Sequence, residues 1–312
     1  MSPTLIVCSD GDPGAFRTIQ AAVDHIPQLN KDRITIRVMA GTYREKLYIN
    51  KPNVEFIAEG PVLITWSDFA RKPNADGKPM GTFATASVYV TGNDVSLTGF
   101  ELENDAGSGE EVGQAVAVYV DADRIKFRNC VFRARQDTLY LGRPKEAEQN
   151  ITGRIYLENC RIVGDIDFIF GSGTAWFEAC DIVSVDQGQA VNGYITAAAT
   201  PMDHQVGLVF HRCRLISDAG EDSVYLGRPW RDYARTVFLR CWMGDHIKRE
   251  GWHDWDKTQA VRTTVRYAEY ASEGPGAAAD ERVSWASQLT DEEAGTFRVE
   301  ACLGPEVWWA KS

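Results

Sequence analysis

From about residue 30 onward, apolar side chains recur in short alternating runs and not at helical spacing. Ile34-Thr35-Ile36-Arg37-Val38, Val54-Glu55-Phe56-Ile57-Ala58 and Val95-Ser96-Leu97-Thr98-Gly99-Phe100 are the first of these. Such runs predict strands. Five later segments share one pattern: Ile125–Cys130, Ile155–Cys160, Ala175–Cys180, Leu208–Cys213 and Thr236–Cys241. Each carries a large apolar residue three positions before its cysteine (Phe127, Leu157, Phe177, Phe210, Phe238) and a short apolar stretch after it. The cysteines are 30, 20, 33 and 28 residues apart. That is the irregular period of solenoid coils. One coil cannot bury its apolar face alone, but a stack of coils makes a continuous core with a cysteine ladder inside it. An antiparallel β-sandwich is the competing arrangement; the persistence of the unit favours the solenoid. Residues three apart fall on opposite faces of a straight strand. A bend near the Asn-Cys pair is therefore expected, and a coil corner supplies one.

The other elements follow from interruptions of this pattern. Between Thr18 and Pro27, Ile19, Ala22, Val23 and Ile26 fall on one face at helical spacing. This helix is expected to cap the open end of the solenoid. After about residue 255 the strand pattern fades. Ser272–Ala277 reads as a loop, and the Trp308-Trp309 pair is expected to pack the irregular tail back onto the helix. No linker divides the chain, so a single domain over residues 1–312 is expected: an all-β parallel solenoid with a short N-terminal capping helix.

Composition narrows the partners. The net charge of -11 argues against nucleic acid or an anionic membrane surface, and an acidic substrate must be locally neutralised. No apolar run reaches the ~18 residues of a membrane span. Seven cysteines cannot all pair, and no CxxC occurs. Buried free thiols are expected, as in a reducing compartment. With the short uncharged start at Met1, this favours a cytoplasmic location; a removed leader would leave secretion or the periplasm open.

The chemistry is less obvious. There is no G-x-S-x-G elbow and no HExxH, and His25 and His211 read as structural. Polar residues gather where the coil pattern is interrupted: Gly113–Val118, Ala134–Tyr140, Gly164–Gly171 and Tyr225–Trp230. Adjacent coils stack at about 4.8 Å. Asp137 and Asp167 are as far apart in sequence as Cys130 and Cys160, so they take matched positions in successive coils. Two close carboxylates cannot both ionise easily, and one acid with one base is what a hydrolytic pair needs. Corner geometry could instead hold each on a local backbone amide, and spacing leaves both readings open.

These segments together resemble the pectin methylesterase family. The resemblance rests on Gly113-Gln114-Ala115-Val116-Ala117, Gln136-Asp137-Thr138-Leu139-Tyr140, Asp167-Phe168-Ile169-Phe170-Gly171 and Leu226-Gly227-Arg228-Pro229-Trp230. Gly41–Glu45 and Gly251-Trp252-His253-Asp254-Trp255 extend it, in order, over about residues 10 to 255. It implies a right-handed parallel β-helix that acts on methylated pectin or oligogalacturonides. Asp167 would be the nucleophile, Asp137 the general acid and then base, and Gln114 and Gln136 the oxyanion donors. Arg228 would hold Asp167 ionised; Trp230, Trp252, Tyr140 and Phe168 would contact sugar. The resemblance implies no metal or organic cofactor, and a monomer is expected. One departure is Ala198, where the family often has glutamine, so a polar cleft contact would be missing. The polar stretch Ser67–Lys78 is expected to form a rim loop. The acidic chain is expected to act best on well-methylated pectin or short oligomers, with Arg143, Lys145, Arg228 and Arg231 offsetting charge locally. A lyase or galacturonan hydrolase on the same fold, or a silent carbohydrate-binding β-helix, are the alternatives.

Overall fold

The computed structural model describes residues 3–144, 152–305, 307 and 309. The chain winds into a right-handed parallel β-helix. Each coil contributes strands to three rows. One row runs through Leu47–Ile49, Val88–Val90, Val118–Val120, Leu139–Leu141, Ile166–Gly171, Gly193–Ala198 and Val224–Gly227. The second holds Ile125–Arg128, Arg154–Glu158, Thr174–Glu178, Leu208–His211, Arg235–Leu239 and Arg266–Tyr270. The third holds Val131–Arg133, Arg161–Gly164, Asp181–Ser184, Arg214–Ser217 and Trp242–Met243. The strands pair parallel, and the register offsets are those of the cysteine spacing: Ile155 meets Ile125, Ala175 meets Ile155, Leu208 meets Ala175 and Thr236 meets Leu208.

The residues three before each cysteine stack inside the coil. Phe177 and Phe210 lie 4.3 Å apart at 10°, and Phe210 and Phe238 4.5 Å apart at 13°. Each aromatic pair contributes about 0.5–1.5 kcal/mol beyond its buried area. The expected bend is present. The residue before each cysteine (Asn129, Asn159, Ala179, Arg212, Arg240) has φ between 51° and 55°. This left-handed turn swings the following cysteine back into the core. Gly99 takes the same place one coil before Asn129. A left-handed L-residue costs roughly 1–2 kcal/mol unless it is Gly, Asn or Asp. Each thiol donates to a carbonyl of the preceding coil, as Cys130 to Leu97 at 3.5 Å and Cys241 to Phe210 at 3.5 Å. A small apolar side chain with one weak donor suits that place.

The capping helix α1 spans Ile19–His25 and buries Ile19, Ala22 and Val23 over the first coil. Thr18 caps it by accepting from Ala21 N–H at 3.1 Å, and the Glu45 carboxylate accepts from Ile19 and Gln20 N–H at 2.9 Å each. At the other end the tail returns over the outer face of the second row. There Leu303, Val307 and Trp309 bury among Tyr156, Trp176, Val209 and Val237. Trp308 lies outside the described residues. Among those described, no helix is long and apolar enough to cross a membrane.

Candidate active site

The first row presents an aromatic floor on its outer face. Leu139 and Ile169 point inward in register, while Tyr140 and Phe170 face outward. Tyr119 stacks on Tyr140 at 4.6 Å, and Tyr140 meets Phe170 at 5.1 Å. In the next coil the matching residue is Ala197, so the floor drops from a ring to a methyl. Trp230 stands beside that step, 5.9 Å from Phe170. Opposite it Phe83, 45% exposed, reaches over Tyr140 at 5.2 Å and Trp230 at 6.2 Å. Phe83 comes from the Thr82–Ala84 turn that follows the polar rim segment. That segment is tied down by Asn104, whose amide donates to the Asp68, Thr85 and Val116 carbonyls.

Asp137 and Asp167 lie at the corner leading into this row, one coil apart. Asp137 N–H donates to the Ile166 carbonyl at 3.0 Å. Both acids are left-handed, with φ of 68° and 51°. Both are buried, at 9% and 6% exposure. Burial raises both carboxyls, but unequally. Asp137 is pushed well above the usual range by burial and then by the Asp167 charge, against a weaker pull from Arg228. Asp167 is raised by burial, while Arg228 pulls it back. Asp167 is therefore the more acidic of the two, and Asp137 the better proton carrier.

Arg228 follows the strand Val224–Gly227 and grips Asp167 with both arms of its fork. Nε lies 2.9 Å from Oδ1 and Nη2 2.7 Å from Oδ2. The guanidinium is held between two rings, with its carbon 3.7 Å from the Tyr194 centroid and 3.9 Å from that of Trp255. These contacts fix its plane as well as its charge.

Gln114 and Gln136 lie half-buried on neighbouring coils, with Ala115 N–H donating to the Gln136 carbonyl at 3.1 Å. Among the described residues, neither side-chain amide has a protein hydrogen-bond partner, so their donors remain available. Gly109 makes room for one of them: a Cβ built there would lie 2.6 Å from Gln136 Oε1 and 2.9 Å from Gln136 Cβ. The rim segment braces the other, since Ala70 N–H donates to the Gln114 carbonyl at 2.8 Å.

Two of the expected sugar contacts are corrected. Trp252 is 1% exposed and stacks on Tyr267 at 4.2 Å inside the coil. It pairs with Gly227 and so continues the first row with its side chain inward. Phe168 is 0% exposed. The left-handed Asp167 breaks the alternation, so Phe168 and Ile169 both enter the core. Ala198 is also buried in the core, so that departure leaves no gap at the floor. Tyr140 and Trp230 lie at the aromatic floor on the outer face. Trp255, Tyr194 and Phe83 were missed, although Trp255 stands in the same late motif as Trp252. Arg231 lies over Trp230 at 5.0 Å and Arg143 is exposed, while Lys145 lies outside the described residues. Among the described residues, His253, Asp254 and Asp256 are close enough to share a metal ion. However, Asp254 is bound to Arg262 and the Asp256 N–H, and His253 Nδ1 to the Trp255 N–H.

Comparison with known proteins agrees with this fold. The Pectinesterase family profile matches residues 4–306. Pectinesterase 31 of Arabidopsis thaliana is 37% identical over 96% of this chain and 92% of its own. The pectin methylesterase structure from carrot is 31% identical with a TM-score of 0.85, covering 98% of this chain and 95% of that one. A pectin methylesterase in complex with hexasaccharide VII is 28% identical with a TM-score of 0.82, covering 97% of this chain and 98% of that one. The chain belongs to the pectinesterase family of carboxylic ester hydrolases.

Proposed function

We propose that this protein hydrolyses the C6 methyl esters of galacturonate units in pectin or its oligomers, releasing methanol and free carboxylates. The observation that carries the assignment of roles is the asymmetry of the aspartate pair: Asp167 in the fork of Arg228, and Asp137 buried without a bonded cation among the described residues. Asp167 attacks the ester carbonyl and forms an acyl-enzyme anhydride. Gln114 and Gln136 donate to the oxyanion that develops, and Asp137 gives its proton to departing methoxide. Asp137 then takes a proton from the water that attacks the anhydride, which frees Asp167 and the new galacturonate carboxyl. Tyr140, Phe170, Phe83 and Trp230 offer flat apolar surfaces to sugar rings, and family membership and the sugar-bound relative support that reading.

The test is methanol release from highly methylated pectin by the wild type, Asp167→Ala and Asp137→Ala. Wild-type methanol without new reducing ends or ultraviolet-absorbing unsaturated products is expected, with both variants falling by several orders of magnitude. Wild-type turnover in Asp167→Ala would overturn the nucleophile assignment. The net charge of -11 favours well-methylated substrate, so initial rates should rise with ester content.

A further inference from the structure

The least solvent-exposed acid at this corner is neither Asp137 nor Asp167. Asp165 has a side chain with 0% exposure and stands two residues before Asp167. Arg135 stands two residues before Asp137, one coil earlier. The two meet across the coils, with Arg135 Nε 2.7 Å from Asp165 Oδ2 and the Asp165 N–H donating to the Arg135 carbonyl at 3.2 Å. Asp165 Oδ1 accepts from Ile166 N–H at 2.7 Å, and the Ile166 carbonyl accepts from Asp137 N–H at 3.0 Å. The Asp165 carbonyl accepts from Tyr194 N–H at 3.1 Å. Tyr194 in turn lies against Arg228, which grips Asp167. One buried residue is thus bonded toward both members of the pair.

We infer that Asp165, held by Arg135, is a positioning residue for the Asp137–Asp167 pair, locking the two coils in register and setting a fixed negative charge behind Asp137. This rests on the esterase reading above. Burying a carboxylate is costly even when it is paired. An asparagine would bond Ile166 N–H as well, so the charge is what distinguishes this residue. The charged groups facing Asp137 are Asp167 and Asp165 on the next coil and Arg228 beyond, with Arg135 on its own coil bonded to Asp165. After burial and the Asp167 charge, Asp165 adds to the upward push on Asp137, while Arg228 opposes it.

The experiment is the pH profile of kcat/KM for methanol release by wild type, Asp165→Asn and Arg135→Gln, with melting curves for each. Asp165→Asn keeps the shape and the bond from Ile166 N–H but removes the charge and the bond from Arg135. Its alkaline limb, where Asp137 loses its proton, should move to lower pH, with kcat at neutral pH down roughly tenfold and KM within about twofold. Arg135→Gln removes the cation that opposes the burial of Asp165, so that carboxyl rises toward its neutral form and the same limb should again move to lower pH; this variant carries the test if Asp165→Asn does not fold. An alkaline limb unmoved in the folded variants overturns the proposal, whatever happens to kcat, because a merely structural pair would change stability alone. An inactive wild type overturns the esterase reading and this inference with it; an active wild type with unmoved limbs overturns only the inference.

Discussion

Replacing Arg228 by lysine keeps the charge and removes the geometry. The arginine makes two charge-assisted bonds to Asp167, at 2.9 and 2.7 Å, and lies between two rings at 3.7 and 3.9 Å. A lysine ammonium can reach one carboxylate oxygen and cannot fill the slot between Tyr194 and Trp255 as a plane. Losing one charge-assisted bond costs about 1.5–3 kcal/mol, and the weakened ring contacts add about 0.5–1 kcal/mol. The sum, about 2–4 kcal/mol, corresponds to a fall of roughly 30- to 1000-fold in kcat/KM. Asp167 must be ionised to attack, so a loosened cation also lets its pKa rise further, and the acid limb of the profile should move to higher pH. Methanol release measured from pH 4 to 9 reads both effects. A variant within threefold of wild type, with its acid limb in place, would refute the claim that this grip activates Asp167.

Three further outcomes follow from single contacts. Gly109→Ala pushes on Gln136 and should lower kcat by about 10- to 100-fold through a misplaced oxyanion donor, with Tm nearly unchanged in a thermal melt. Trp252→Ala empties part of the core and should cost about 3–5 kcal/mol in urea unfolding, while KM of the folded protein stays within about twofold. Asp137→Asn should gain about 1 kcal/mol of stability at pH 7 while losing activity. The folded state raises this carboxyl, so stability is lost as pH climbs from the unfolded carboxylate value near ~3.9 to the folded one, and the gain in the asparagine variant should vanish below ~3.9. Urea melts at both pH values check the sign.

Much of the architecture was legible because the coil repeat marks itself chemically. The cysteine spacing carried the register of the strands, and the conflict between Phe127 and Cys130 on a straight strand implied the bend found at Asn129. The same spacing put Asp137 and Asp167 in matched places but could not orient them. Their difference in acidity depends on Arg228, which lies 61 positions beyond Asp167 and reaches it only through the stack. The aromatics were misread for a related reason. Trp252 and Trp255 share one motif, and a turn with left-handed Trp255 and Asp256 sends one ring inward and the other over Arg228. Strand alternation predicts neither, because left-handed residues reset it, as Asp167 does before Phe168.

The site draws one piece from each of several successive coils: Gln114, Gln136 with Asp137, Asp167, Tyr194, Arg228 and finally Trp255. The backbone ladder joins each coil only to its neighbours, so much of the stability is local. Turnover is not local, since it needs every layer from Gly109 to Trp255 wound in phase. During refolding, strand signals should therefore recover before catalysis. Methanol release therefore counts completed molecules, not structured ones.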